Sequence, residues 1–219
     1  MKNKKTLYFV LMFLPLIITL VVLPFLPEQI PAHYNFAGEI DRWGSKYEAL
    51  LFPAITILMG FFMLWMAKIA AKQEENGNNN EKIVFYTGMG ISLWFTAMHT
   101  FSLYKAFAAA GSMGYSVEAD INRIFCILLG ISLVIIGNFM PKFRNNSIIG
   151  LRTPWSMKND TVWKKSQLFG GISFIVCGVL MIIAGLLLEG FAAMCIALGL
   201  LMTDTVICVI YSYKISKKY

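Results

Sequence analysis

The chain of 219 residues is 58% hydrophobic and only 14% charged, far from the balance of a soluble domain. That composition excludes an ordinary soluble enzyme and directs attention to runs of about 20 apolar residues, the length at which a helix crosses lipid with its backbone polar groups satisfied internally. The net charge of +7 follows from basic residues in short loops, which set topology and meet anionic headgroups, so no direct nucleic-acid binding is expected.

The first apolar run, 7–26, follows the charged start MKNKK and continues through VVLPFLP without small residues placed for cleavage, so it reads as a retained signal anchor. The loop 27–49 comes next. Pro31 biases the residue before it toward an extended backbone, and Gly38 and Gly44 mark turns, predicting an ordered cap. His33, Asp41, Trp43 and Lys46 are its candidate functional side chains. One histidine among scattered carboxylates is not a zinc pattern, so no metal is called for; His33 reads as a hydrogen-bonding loop residue and Trp43 as an interfacial ring.

The second run, 50–71, leads into KQEENGNNNEK at 72–82, a polar connector. The third, 83–107, carries His99, which reads chiefly as a packing histidine and alternatively as the lining of a cleft. The fourth, 121–140, has Asn138 near its end, where it caps or supports the following loop.

That loop, 141–167, holds six basic residues against the single Asp160, with Trp155 and Trp163 expected at headgroup depth. Thr161 to Phe169 should lead helically into the fifth run. Interfacial aromatics and topology charges account for the lysines and tryptophans but not for the order Asn146, Gly150, Arg152, Thr153, Pro154, Trp155, followed by Trp163 and Gly170. This pattern closely resembles the signature of the SdpI family of bacterial membrane immunity proteins, which act against a secreted sporulation-delaying toxin peptide. The segment bearing Pro31, His33, Gly38, Asp41 and Lys46 resembles the N-terminal domain of unknown function that accompanies it. The resemblance implies protection against a membrane-active peptide met on the outer side. It also implies a possible second task, holding a winged-helix repressor at the membrane from the cytoplasmic side.

The fifth and sixth runs, 168–188 and 191–212, are separated by little more than Glu189 and Gly190 and should form a tight antiparallel hairpin. Gly171, Gly178 and Gly185 recur every seven residues on one stripe, which lets another backbone approach. Asp204 lies well inside the sixth run. A carboxylate there costs about 3 kcal/mol on insertion scales, so it should face the bundle; Ser92 and Ser132 are the partners expected from depth. Cys126, Cys177, Cys195 and Cys208 read as small packing residues.

With both termini cytoplasmic, all of the 19 Lys and Arg residues except Arg42, Lys46, Lys105 and Arg123 fall inside, as positive-inside loops require. The expected architecture is therefore an all-α integral membrane protein with six transmembrane helices. It comprises a two-helix unit 1–71, a linker 72–82 and a four-helix region 83–219. The expected function is membrane immunity, without catalysis or cofactor. The alternative is a small proton-coupled transporter or exporter using Asp204.

Overall fold

The computed structural model describes residues 2–35, 38–72, 77–109, 111, 120–146 and 148–219. In chain order it comprises α1 (Lys2–Val22), β1 (Gln29–Tyr34), β2 (Ile40–Ser45), α2 (Leu51–Lys72), α3 (Gly77–Ala109), α4 (Ile121–Phe139), α5 (Asp160–Leu187) and α6 (Gly190–Lys218). Residues 73–76 of the connector lie outside the described residues, and α3 begins at Gly77, several residues before the expected start of the third run.

Every long element is a helix. Among the described residues, the one addition to the all-helical expectation is the two-stranded antiparallel sheet in the first loop. Helix ends follow local chemistry. Pro24 turns the end of α1 into a 3-10 turn, Asp120 caps α4 through the Asn122 N–H (2.8 Å), and Asn159 caps α5 through the Val162 N–H (2.9 Å). Both cap residues accept from backbone donors that a helix start leaves unpaired.

Among the described residues, five helical stretches are long and apolar enough to cross a membrane: Asn3–Phe25, Lys46–Lys72, Ile121–Lys142, Asp160–Leu187 and Gly190–Lys218. At 33 residues α3 has the length, but its serines, threonines, His99 and Lys105 dilute its apolar character. The chain is thus a multi-pass integral membrane protein.

It divides into two compact units, Met1–Trp65 with Phe85–Ala119, and Met66–Val84 with Asp120–Tyr219. In the first, the Tyr8 hydroxyl donates to the Gly60 carbonyl (2.8 Å) and its ring packs on Phe85 (4.8 Å between centroids). Leu26, Ile30, Ala49, Leu103 and Ala106 form a second apolar cluster, which seats the sheet through Ile30.

In the second unit the glycines decide the packing. A Cβ built on Gly178 would lie 2.5 Å from the Gly130 carbonyl oxygen, and one on Gly130 would lie 2.6 Å from that of Gly178. Gly137 and Gly171 stand in the same reciprocal relation, at 2.5 and 2.6 Å. The stripe expected on α5 therefore meets a matching pair on α4, and the two backbones touch. Close approach of this kind drives helix association in lipid, where apolar burial between helices supplies no force. Cys126, Leu133, Cys177, Met181, Ala184 and Ala197 fill the space beside it. The four cysteines are free, with Cys195 exposed and the others buried.

Leu188 and Glu189 are all that separates α5 from α6. Arg123 reaches the Gly185 carbonyl (3.1 Å), the Leu186 carbonyl (3.0 Å) and the Glu189 carboxylate (2.8 Å). The Asp120 carboxylate accepts from the Gly190 N–H. One cation thus serves the unpaired carbonyls at the end of α5, and one anion the free N–H at the start of α6, each matching its helix dipole.

Candidate functional site

In the first loop, β1 and β2 pair with Pro31 opposite Trp43 and His33 opposite Arg42. Gly38 closes the turn at φ +86°, a conformation that costs glycine nothing. Around it the Asn35 side-chain oxygen accepts from the Glu39 N–H (2.9 Å) and its nitrogen donates to the Glu39 carboxylate (2.8 Å). Among the described residues, a hydrogen bond and two ion pairs line the hairpin: His33 Nδ1 with Asp41 (2.6 Å), and Arg42 with Glu48 (2.9 Å) and Lys46 with Glu28 (2.8 Å). Exposed pairs of this type add little stability, so their contribution here is register and shape. Pro31 is buried while Trp43 stands exposed. The enclosed Tyr34 hydroxyl, whose ionisation burial pushes above its ordinary value, finds no partner among the described residues. The hairpin therefore has a dry inner side and a charged outer one.

The second loop is a frame around an exposed head. Asn146 builds the first corner. Its side-chain nitrogen donates to the carbonyls of Arg144 (2.7 Å) and Ile149 (3.1 Å), and its oxygen accepts from the N–H groups of Ile148 and Ile149 (2.8 Å each). Gly150 then takes φ +111°, in the left-handed half of backbone space that glycine alone occupies without strain. A Cβ there would sit 2.7 Å from Gln167 Oε1. The same Gln167 amide brackets Leu151, accepting from its N–H (2.9 Å) and donating to its carbonyl (3.0 Å). Thr153 and Ser156 make the second corner: Ser156 Oγ accepts from Thr153 N–H (2.8 Å) and donates to the Leu151 carbonyl (2.7 Å), and Thr153 Oγ1 accepts from Ser156 N–H (3.0 Å).

Trp163 is buried, with Nε1 donating to the Phe143 carbonyl (2.8 Å) and its ring packed with Met140 and Phe143. It lies one turn into α5 on the face that the preceding loop folds over, so its indole closes that loop from beneath. Gly170 leaves room for Met140 and Leu151.

What the frame leaves outside is Arg152, Pro154 and Trp155, all exposed. The Arg152 guanidinium donates to the Ile148 carbonyl at a long 3.5 Å, and Trp155 leans edge-on against Tyr213 (5.1 Å). Asn138 is exposed on α4 and is not drawn into the loop. The sequence alone does not single out Gln167 and Ser156: Gln167 is an amide one turn after Trp163 at the polar edge of the fifth apolar run, and Ser156 a hydroxyl three residues after Thr153.

The intramembrane residues separate. His99, buried on α3, pairs through Nε2 with Thr19 Oγ1 (2.6 Å) and stacks on Phe52. Because the Thr19 hydroxyl donates to the Pro15 carbonyl (2.7 Å), it accepts from His99, which makes Nε2 the protonated nitrogen. His99 is thus a packed residue within a helix contact. Asp204 is buried and accepts from Ser173 Oγ on α5. The expected partners Ser92 and Ser132 instead donate to their own helices, at the Gly88 (3.0 Å) and Leu128 (2.8 Å) carbonyls. Ser173 and Asp204 lie equally far in sequence from the Leu188–Glu189 turn, which in two helices joined so tightly puts them at one depth.

Residues 142–212 match the model of the SdpI/YfhL protein family, and residues 10–57 match DUF1648, a domain of unknown function. The chain is 27% identical to a Bacillus subtilis (strain 168) protein named "Immunity protein SdpI", over 99% of this chain and 97% of that protein. A 44-residue stretch, 20% of this chain and 24% of the relative, is 39% identical to an uncharacterized protein of Archaeoglobus fulgidus. No solved structure matches the chain. The first match covers the framed loop, α5 and most of α6, the second the later part of α1, the hairpin and the start of α2, and over these two stretches the chain is similar to the SdpI/YfhL family and to DUF1648.

Proposed function

We propose that this chain is a membrane immunity protein that protects its cell against a membrane-active antimicrobial peptide. It resides in the bacterial cytoplasmic membrane as six spans, α3 included, with both termini inside and α5 and α6 as a hairpin. The β1–β2 hairpin then faces outward, where the peptide arrives, with His33, Asp41, Trp43 and Lys46 on its accessible side. The framed loop faces the cytosol, where Arg152, Pro154 and Trp155 recruit a winged-helix repressor. The chain's alignment along nearly its whole length with a named immunity protein supports the protective role. The observation that carries the recruiting role is the division of the loop motif: Asn146, Gly150, Thr153 and Trp163 are consumed in holding shape, while an arginine and a tryptophan, residue types favoured at binding hot spots, are held out from it.

The test is expression in a peptide-sensitive cell followed by challenge, with repressor localisation read in parallel. Cells carrying the chain should survive doses that kill the parent, and Arg152→Ala should weaken repressor capture about tenfold, the effect of losing one hot-spot contact. Survival no better than the parent sinks the immunity reading. Capture and survival both untouched in Arg152→Ala sink the assignment of the exposed head.

Proton-coupled transport through Asp204 is the second reading, favoured by that one buried carboxylate. Its Ser173 partner makes it equally a polar tie between two helices. Proteoliposomes separate the two: substrate flux driven by a proton gradient and abolished by Asp204→Asn establishes transport, and immunity retained by Asp204→Asn without flux establishes the tie.

A further inference from the structure

The end of α6 folds against the loop. Ser212 and Ser216 stand four residues apart, on one face of the helix, in line with the buried Cys208 and Asp204. Each meets the loop. Ser212 Oγ donates to the Val209 carbonyl (2.8 Å), so at its contact with Thr153 Oγ1 (2.9 Å) it is the acceptor. Thr153 Oγ1 in turn accepts from Ser156 N–H. A single directed chain of hydrogen bonds therefore runs from the loop backbone, through two hydroxyls, into the backbone of α6. One turn further, Lys158 Nζ donates to the Ser216 carbonyl (2.8 Å). Between these ties Trp155 rests on Tyr213.

We infer that residues 212–216 of α6 are a clamp that sets the presentation of Arg152, Pro154 and Trp155, making Ser212, Tyr213 and Ser216 positioning residues for that surface. One tie falls within the head at Thr153 and the other on its C-terminal side at Lys158, while Asn146 and Gln167 hold the N-terminal side. Without the clamp the segment 153–158 retains its own Thr153–Ser156 turn but loses these ties to α6. The clamp also joins the head to the helix that carries Asp204, so a displacement of α6 reaches the loop directly. As a statement about a recognition surface this rests on the proposed role of the head; as a statement about loop geometry it does not.

Limited trypsin digestion of the full-length protein in detergent reads the clamp through the rate of cleavage after Arg152. Losing one hydrogen bond of ordinary strength corresponds to about a fivefold change in an opening equilibrium. Ser212→Ala and Lys158→Gln should each speed cleavage about fivefold with the thermal midpoint unchanged, and Ser212→Thr, which keeps the acceptor, should restore the wild-type rate. Unchanged cleavage in both variants overturns the inference. Faster cleavage that merely tracks a lower thermal midpoint, or that Ser212→Thr fails to restore, overturns it too, because that is general destabilisation. The digestion requires neither peptide nor repressor: wild-type protein that captures no repressor, together with variants that cut faster, would refute the role of the head and leave the clamp standing.

Discussion

Asn146 satisfies four backbone groups with one side chain, and the contrast with its neighbour Arg152 shows how differently residues of one motif behave. Removing the Asn146 amide leaves carbonyls and N–H groups of a tight corner without partners, each costing about 1 kcal/mol or more when sheltered from water. Asn146→Ala should therefore lower stability by about 2–3 kcal/mol, measured as unfolding in detergent. Gly150→Ala should act similarly, since it forces a strained backbone worth about 1–3 kcal/mol and drives a methyl group toward Gln167. Arg152→Ala should leave unfolding unchanged, because the side chain is exposed and its bond to the Ile148 carbonyl is long. If Arg152→Ala destabilises as much as Asn146→Ala, the separation into frame and head is wrong. The order of motif residues was readable in the sequence, but this separation was not. Asparagine, threonine and tryptophan serve equally well for turning a chain and for binding another, and which they do depends on where the backbone folds. Trp163 is the clearest case: two tryptophans eight residues apart looked equivalent until the loop closed over one of them.

Among the elements, α4 and α5 depend most on what their side chains lack. The seven-residue spacing of Gly171, Gly178 and Gly185 marks a helix face from sequence alone, since seven residues are close to two full turns. What lies on that face emerged only from packing, where Gly130 and Gly137 meet it. Gly178→Leu should separate the helices and cost about 3 kcal/mol or more, the range reserved for overpacked contacts. Gly199→Leu is the internal control, because a Cβ there meets nothing within 4 Å. Equal unfolding midpoints for the two variants would show that the α4–α5 contact contributes little. The β1–β2 sheet was legible only as an ordered, turn-rich segment. Pro31, Gly38 and Gly44 punctuate it, and the bulge after Pro31 breaks the alternation by which strands are recognised.

At the scale of the whole molecule the prediction concerns threading. With α3 crossing the membrane, a reporter fused after Trp155 should be cytoplasmic and one fused after Trp43 extracytoplasmic; both on one side would remove the separation of peptide and repressor that the proposed function requires. By itself the sequence determined that the chain belongs in lipid, which stretches form the long helices though not their ends, which segments carry the motifs, and which helix face is built for close approach. These follow from local quantities: apolar run length, charge bias, motif order and glycine period. Tertiary structure alone decided that Asp204 meets Ser173, that His99 meets Thr19, that Trp163 lies beneath the loop while Trp155 lies upon it, and that the end of α6 holds the loop in place. Each is a contact between segments distant in the chain, and hydrogen-bonding capacity is the same for every serine or threonine until packing selects the one at the right depth and on the right face.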